Sequence, residues 1–457
     1  MVQYFHMYLR FIFSLLIAKI LTGFLSPRGG GSALPGLVAL KIFPSILIRY
    51  SNTFSQGIIL VSGTNGKTTT ATLIKTILEN SGFICVHNAT GSNLERGIAS
   101  SLIGASNIIG GLHADWGVFE VDEAALPRLI EVFTPKMVIL LDLFRDQLDR
   151  YGEIDSLADN WKASLKKLPS TSSVLLNADD PVICNLGLEL VASVYYFGIN
   201  DLRLTDTTLS QSADSIYCPV CRTELQYKNV WYSHLGNWAC PKCTFKRPEL
   251  TLAVSKIRIK PTVALSATYN DKTYEINTPL EGLYSAENVA AAILSSVLLK
   301  TPPDVIKKSI ARFKAVFGRH ELFTIGDKKI KILLSKNPTG FTQSLITLDG
   351  LPKKNILFLL NDRVADGTDV SWIYDVEFER LHSHAKYMTV SGDRCLDLAV
   401  RLKYADIPPD IIDVQPLLKK AFTSALFHTS SNETLYILAT YTAMLDIRKL
   451  LIGNKLL

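Results

Sequence analysis

The sequence predicts an α/β protein in two units: a doubly wound, mostly parallel sheet that carries a small cysteine-rich insert, then a smaller C-terminal α/β domain. Three observations predict it. From about residue 45 to 316, short β-rich runs alternate with helical stretches, as parallel strands joined by crossover helices require. An early strand breaks into a Gly-rich loop that opens a helix, which puts ligand-binding groups at the C-terminal ends of the strands. A second alternation runs from about Phe317 to the end, its start marked by Pro303 and the turn at Gly318. The 457 residues are enough for two or three domains with cores of their own.

Residues 1–44 form a helical segment. Phe11 to Leu25 is apolar, with Arg10 before it and Lys19 inside, and Pro27-Arg28-Gly29-Gly30-Gly31 offers no small-residue cleavage site. The apolar stretch falls short of the ~18 residues of a spanning helix. Two readings stay open: a helix packed on the following domain, which is favoured, or contact with a membrane surface.

The central unit, residues 45–316, begins with Gly57-Ile58-Ile59-Leu60-Val61, which runs into Gly63-Thr64-Asn65-Gly66-Lys67-Thr68-Thr69-Thr70. Glycines let backbone N–H groups approach phosphates, Lys67 supplies a point charge and is expected to stand exposed, and the Thr68 hydroxyl suits Mg²⁺. The pattern reads as nucleotide binding, in a loop shorter than the common G-x-x-x-x-G-K-[ST] form. Strands follow at Gly117–Val121, Met137–Leu141 and Ser173–Leu176, with helices at Thr68–Ser81, Ala124–Phe133 and Ile154–Leu168. Glu120 ends its strand beside the loop, whereas Asp122 and Glu123 suit the plainer task of capping the next helix.

The insert, Asp214 to Arg247, holds Cys218-Pro219-Val220-Cys221 and Cys240-Pro241-Lys242-Cys243 around 18 intervening residues. That is the spacing of a tetrahedral Cys₄ zinc site. Four thiolates close the shell, so Cys218, Cys221, Cys240 and Cys243 predict a structural Zn²⁺ that staples a loop too small to bury a core. The C-terminal unit, residues 317–457, has strands at Ile356–Leu360, Tyr387–Val390 and Thr434–Leu438. An acidic loop, Asn361 to Asp375, follows the first, with Asp362, Asp366, Asp369 and Asp375 around a glycine.

A formal charge of +6 with no dense Lys/Arg run makes nucleic acid an unnecessary partner, while anionic membranes or phosphorylated substrates remain compatible. Seven cysteines, four of them in metal spacing, point to a reducing, cytoplasmic compartment; Cys85, Cys184 and Cys395 read as buried thiols.

The phosphate loop, Val118-Phe119-Glu120-Val121-Asp122-Glu123, Asp146-Gln147-Leu148-Asp149-Arg150-Tyr151-Gly152, Leu176-Asn177-Ala178-Asp179-Asp180-Pro181, Ser285-Ala286-Glu287-Asn288 and Gly318-Arg319-His320-Glu321 together resemble the Mur ligase superfamily over most of the chain. The cysteine ribbon, Ser335-Lys336-Asn337-Pro338 in place of A-H-N-P, and the 361–375 loop are similar within it to the MurT family. The resemblance implies a Mur ligase-type ATP-binding domain. Gly63 to Thr69, Asn288 at adenine and Arg319 of the G-R-x-E stretch would serve ATP, with Thr68 and Glu120 on Mg²⁺. Gln147 stands where a metal-binding His is usual.

The resemblance further implies an ATP-dependent amide ligase subunit. It would activate the D-glutamate α-carboxyl of the lipid II stem peptide as an acyl phosphate, for amidation to D-isoglutamine. Ammonia would come from a GatD-like class I glutamine amidotransferase, whose catalytic His would be oriented by Asp369, at the inner face of the cell membrane. Two other readings are a self-sufficient amino-acid ligase of the Mur or folylpolyglutamate type, and a nucleotide-regulated scaffold. Some 60 residues before the loop cannot house a uridine-binding domain, which speaks against a UDP-linked substrate.

Overall fold

The computed structural model describes residues 2–25, 33–88, 92–145, 154–204, 209, 213–313, 319–348 and 351–453. In chain order its strands are β1 (Phe54–Ser62), β2 (Cys85–His87), β3 (Ala114–Glu120), β4 (Met137–Leu140), β5 (Ser173–Asn177), β6 (Ser193–Ile199), β7 (Gln226–Tyr232), β8 (Leu235–Ala239), β9 (Leu252–Arg258), β10 (Ala264–Tyr269), β11 (Lys272–Asn277), β12 (Arg319–Ile325), β13 (Lys328–Leu334), β14 (Lys354–Leu359), β15 (Ala385–Ser391), β16 (Ile412–Val414) and β17 (Thr434–Ala439).

The first sheet has the order β11-β10-β9-β6-β5-β4-β1-β3-β2, parallel from β2 through to β9. Its central strands are continuous apolar runs because both faces are covered. Ile58, Leu60, Val138 and Leu140 enter the core under the helices Glu95–Ala105 and Leu126–Phe133. Their neighbours Ile59, Val61, Met137 and Ile139 enter the opposite core, with the helices Lys67–Asn80 and Tyr284–Leu298. The period-two alternation of a strand thus feeds two cores from one run. β9, β10 and β11 close the sheet as an antiparallel edge that the sequence reading lacks. The cysteine insert emerges between β6 and β9, which pair in parallel.

The second sheet, β12-β13-β17-β14-β15-β16, is parallel except for the hairpin β12–β13. Glu321 of β12 takes a two-pronged bond from Arg448, at 2.7 and 2.8 Å, tying the domain's opening to its last helix. The N-terminal helix spans Val2–Leu25, and contrary to the expectation its stretch His6–Leu25 is long and apolar enough, by length and composition, to cross a membrane. Phe11, Leu15 and Ala18 enter the core, and Lys19 Nζ donates to Ile103 O and Ser106 O at 2.8 and 2.6 Å.

Candidate active site

The loop forms where β1 ends, and it is pinned from below by the exit of β4. Thr64 N donates to Asp142 O at 3.0 Å, Asn65 N to Asp142 Oδ1 at 2.7 Å, and Phe144 N to Thr64 Oγ1 at 2.9 Å. Gly66 caps the helix in the left-handed region, with φ +80°. A Cβ there would sit 2.0 Å from Asn288 Oδ1, so only glycine fits both the backbone and its neighbour. Asn288 therefore packs directly behind the loop, its Oδ1 accepting from the Thr70 hydroxyl at 3.3 Å. The first turn of a helix leaves N–H groups without intrahelical partners, so the start of Lys67–Asn80 beside the loop favours anions.

Lys67 is buried, not exposed as the sequence reading expects, with 5% of its surface accessible. Its Nζ donates to Gly63 O at 2.5 Å and to Thr64 O at 3.2 Å, and pairs with Glu123 Oε1 at 3.0 Å. Burial pulls the ammonium pKa down, but Glu123, Glu120 and Asp122 together outweigh it and hold it above the usual lysine value. Glu123 is thus a partner of the phosphate-loop lysine and not a plain helix cap; Asp122 does accept from Ala124 N, at 3.2 Å.

Glu120 is 3% exposed, and its Oε2 has no hydrogen-bond partner among the described residues. The β1–β3 register places it opposite Val61, two residues before the loop. A buried carboxylate oxygen without a donor is costly unless a cation or water completes it. Together with the half-buried Thr68 hydroxyl at the start of the helix, it makes a donor set that fits the hard, oxygen-seeking Mg²⁺. Burial, the largest influence, pushes the neighbouring Asp142 up to about 7, and Asp180 adds to it against the opposing Asn65 amide and Lys67.

A cleft opens between the loop and the C-terminal domain. It is lined by Asn65, Gly66 and Thr69 of the loop and its helix, by Leu333, Lys336, Gly340 and Gln343 of the C-terminal domain, and also by Tyr284, Ser285 and Tyr232. Asn337 caps the helix Pro338–Ile346 through Gly340 N, at 2.7 Å, and its amide nitrogen donates to Asn65 Oδ1 at 3.2 Å. Lys331 pairs with Glu281, and Arg145 Nη1 lies 3.4 Å from Asp375 Oδ2, so polar contacts bridge the domains around the loop.

Tyr232 and Gln343 are cleft residues that sequence reasoning missed, while Lys336 belongs to the stretch 335–338 already singled out. Tyr232 is the least anticipated, since it belongs to the cysteine insert. The hairpin β7–β8 does not stand clear of the domain: Trp231, Tyr232, Ser233, His234 and Leu235 at its tip are all buried. The Tyr232 hydroxyl donates to Glu287, Gly236 N to Asp179 O at 3.0 Å, and Trp238 Nε1 to Ala178 O at 3.2 Å. The signal was the apolar Trp231-Tyr232…Leu235 around a hairpin turn, where polar residues are the rule.

At the hairpin's other end the four cysteine Sγ atoms lie within 4.8 Å of one another, with Cys218–Cys243 at 3.7 Å and Cys221–Cys240 at 3.4 Å. Tetrahedral Zn–S bonds of about 2.3 Å require sulfur spacings of roughly 3.8 Å. The amides of Lys242 and Cys243 both donate to Cys240 Sγ at 3.4 Å, which suits a thiolate. The set fits zinc, with no side left for substrate.

Asp369 lies outside the cleft. It is exposed on the C-terminal domain, its two oxygens accepting from Ser371 N at 2.8 Å and Ser371 Oγ at 2.9 Å. Asp366, by contrast, is buried and staples the loop to Thr442. Asp362 pairs with Arg394 at 3.1 Å. Gln147 lies outside the described residues, as does the side chain of Arg319, which opens β12.

Residues 61–296 match the family model described as Mur ligase middle domain, and residues 334–444 that described as MurT ligase C-terminal. A Streptococcus pneumoniae protein named lipid II isoglutaminyl synthase (glutamine-hydrolyzing) subunit MurT is 33% identical over 440 residues, covering 94% of this chain and 95% of its own. The protein of the same name from Staphylococcus aureus is 33% identical over 407 residues, 87% of this chain and 90% of that one. Among solved structures, the folylpolyglutamate synthase of Mycobacterium tuberculosis complexed with ADP superposes with a TM-score of 0.64 at 15% identity, over 97% of this chain and 99% of that one. MurF ligase of Thermotoga maritima in complex with ADP gives 0.62 at 15% identity, over 92% and 84%. At that identity they speak for the fold alone.

Proposed function

The chain belongs to the MurT family, and we propose that it is the ATP-dependent ligase subunit of a lipid II isoglutaminyl synthase. It activates the D-glutamate α-carboxyl of the stem peptide as an acyl phosphate, which ammonia then converts to the amide during peptidoglycan synthesis. The observation that carries this is the juxtaposition of the buried, charged Lys67 with the donor-less Glu120 carboxylate around a Gly-rich loop.

In this reading, the amides of Gly63 to Thr69 and the Lys67 ammonium hold the β- and γ-phosphates, while Thr68 and Glu120 hold Mg²⁺. Mg²⁺ neutralises charge on the transferring phosphoryl group. Asn288 keeps the loop shape that Gly66 allows, and Arg319 serves the nucleotide from the second domain. Lys336, facing the loop across the cleft, supplies a cation where the carboxylate and phosphoryl groups meet. Cys218, Cys221, Cys240 and Cys243 bind a structural Zn²⁺.

No described cysteine sits in a site suited to glutamine hydrolysis: Cys184 and Cys395 are buried, and burial drives the Cys85 thiol up to about 12. Ammonia therefore comes from a separate glutamine amidotransferase of the GatD type. Asp369, exposed and held by Ser371, offers that partner's catalytic histidine a fixed carboxylate. ATP and a lipid-linked substrate place the work at the inner face of the cell membrane. The test is phosphate release and carboxyl-to-amide conversion, followed by mass spectrometry, with lipid II, ATP, glutamine and the partner. Phosphate release that depends on an added amino acid, in place of ammonia, would favour a self-sufficient ligase instead.

A further inference from the structure

The N-terminal helix Val2–Leu25 has two apolar faces, of which one packs on the helices Leu34–Ile42 and Glu95–Ala105. At 100° per residue, the buried Phe11, Ser14, Leu15 and Ala18 cluster on one side. Diametrically opposite stand Leu9, Phe13, Leu16 and Ile20, exposed at 47%, 59%, 43% and 57%. A helix apolar all round is normally enclosed, by protein or by lipid. A second exposed apolar element lies beside the helix, against its inner face. The loop at Gly110 packs against Phe11 and Leu15, and carries Ile108 and Ile109 at its tip, 70% and 63% exposed.

Charge says what covers it. No Asp or Glu occurs before Glu79, whereas Arg10, Lys19, Arg28, Lys41 and Arg49 fall within the first 50 residues. Lys41 and Arg49 are exposed, and Arg49 lies 4.8 Å over the Phe11 ring. We propose that this outward face, with the Ile108–Ile109 tip, seats the protein in the interface of an anionic lipid bilayer. The helix lies along the surface and does not cross it, because its inner face is already packed on the domain and Lys19 is tied to two carbonyls. The proposal does not rest on the ligase reading.

The experiment is flotation of the full-length protein with phosphatidylcholine vesicles containing one-third phosphatidylglycerol, against phosphatidylcholine alone. The protein should float with the anionic vesicles, and less so in high salt. Phe13→Gln with Leu16→Gln and Ile20→Gln should lower partitioning about 100-fold, roughly fivefold per half-buried apolar side chain withdrawn. Thermal stability and ADP affinity should be unchanged. Should that variant not fold, Ile108→Gln with Ile109→Gln, on an exposed loop tip, should still lower partitioning by about tenfold. Absence of flotation, or equal flotation of wild type and variants, overturns the proposal. So does resistance to alkaline carbonate extraction, which would mean a spanning helix. A dimer that the triple variant splits, without vesicle binding, would assign the face to a second copy.

Discussion

Replacing Lys67 by alanine should cost the protein stability as well as activity. The Lys67 and Glu123 side chains are each 6% exposed, and their contact is 3.0 Å. Removing the ammonium leaves the Glu123 carboxylate buried without its cation, a loss of about 3–5 kcal/mol for such pairs. In a domain of this size, 1 kcal/mol moves the melting temperature by roughly 2–4 °C, so a fall on the order of 10 °C follows. Adding Glu123→Gln removes the stranded charge and should recover most of the loss. ATP turnover should stay absent in both variants, since neither has the phosphate-loop cation. Thermal unfolding of the three proteins without nucleotide, beside a phosphate-release assay, measures both effects. A Lys67→Ala protein that melts with the wild type, or a double variant no more stable than the single, refutes the pairing as a stability term.

Asp142→Asn keeps an acceptor for the Asn65 amide but removes a carboxyl whose folded pKa is raised to about 7 from 3.8. A raised acid is harmless below its unfolded pKa and increasingly costly as pH climbs to 7, so the variant should match wild type near pH 4. It should exceed wild type by up to about 4 kcal/mol at pH 8; urea midpoints with a pH-independent gap would contradict this. Stripping zinc, or changing Cys218 and Cys221 to Ser, should lower the melting temperature and also weaken ADP binding about tenfold, because the hairpin carries Tyr232 into the cleft. Calorimetry showing intact ADP affinity in a destabilised, zinc-free protein would confine the ribbon to stability. Asp369→Asn should leave complex formation and ATP binding intact while cutting the partner's glutamine hydrolysis by about 10⁴. Ammonium at raised pH should then restore amidation in this variant and not in Lys67→Ala; normal glutamine hydrolysis would remove Asp369 from the shared site.

What was legible in the sequence was what local chemistry dictates. β1, β3, β4 and β5 stand out as apolar runs because both their faces are buried, and the loop stands out because its glycines, lysine and threonine are contiguous. The antiparallel edge β9–β11 escaped notice because it mixes charged and apolar residues, as in Lys272-Thr273-Tyr274-Glu275, and hairpin strands at an edge need no continuous run. The Lys67–Glu123 pair was illegible because 56 positions separate its members and only the β1–β3 pairing joins them. The ribbon looks self-contained in the sequence because metal spacing is local, while the burial of its hairpin depends on Ala178 and Asp179 far away in sequence.

These long-range contacts share a direction. Asn337 reaches Asn65 from the second domain, Arg145 joins Asp214 at the start of the insert to Asp375, and Tyr232 reaches the cleft from the hairpin tip. Separate parts of the chain therefore meet around the cleft, and the contacts named between them are polar. Polar interfaces between domains permit relative movement more readily than apolar cores do. Phosphates bound at the loop would bear on Asn65, and through its 3.2 Å bond to Asn337 on the helix Pro338–Ile346 that walls the cleft. That helix joins the core that also holds Val370 and Ile373, near the exposed Asp369, so the wall of the cleft and the surface assigned above by proposal to the amidotransferase are built on one packed core.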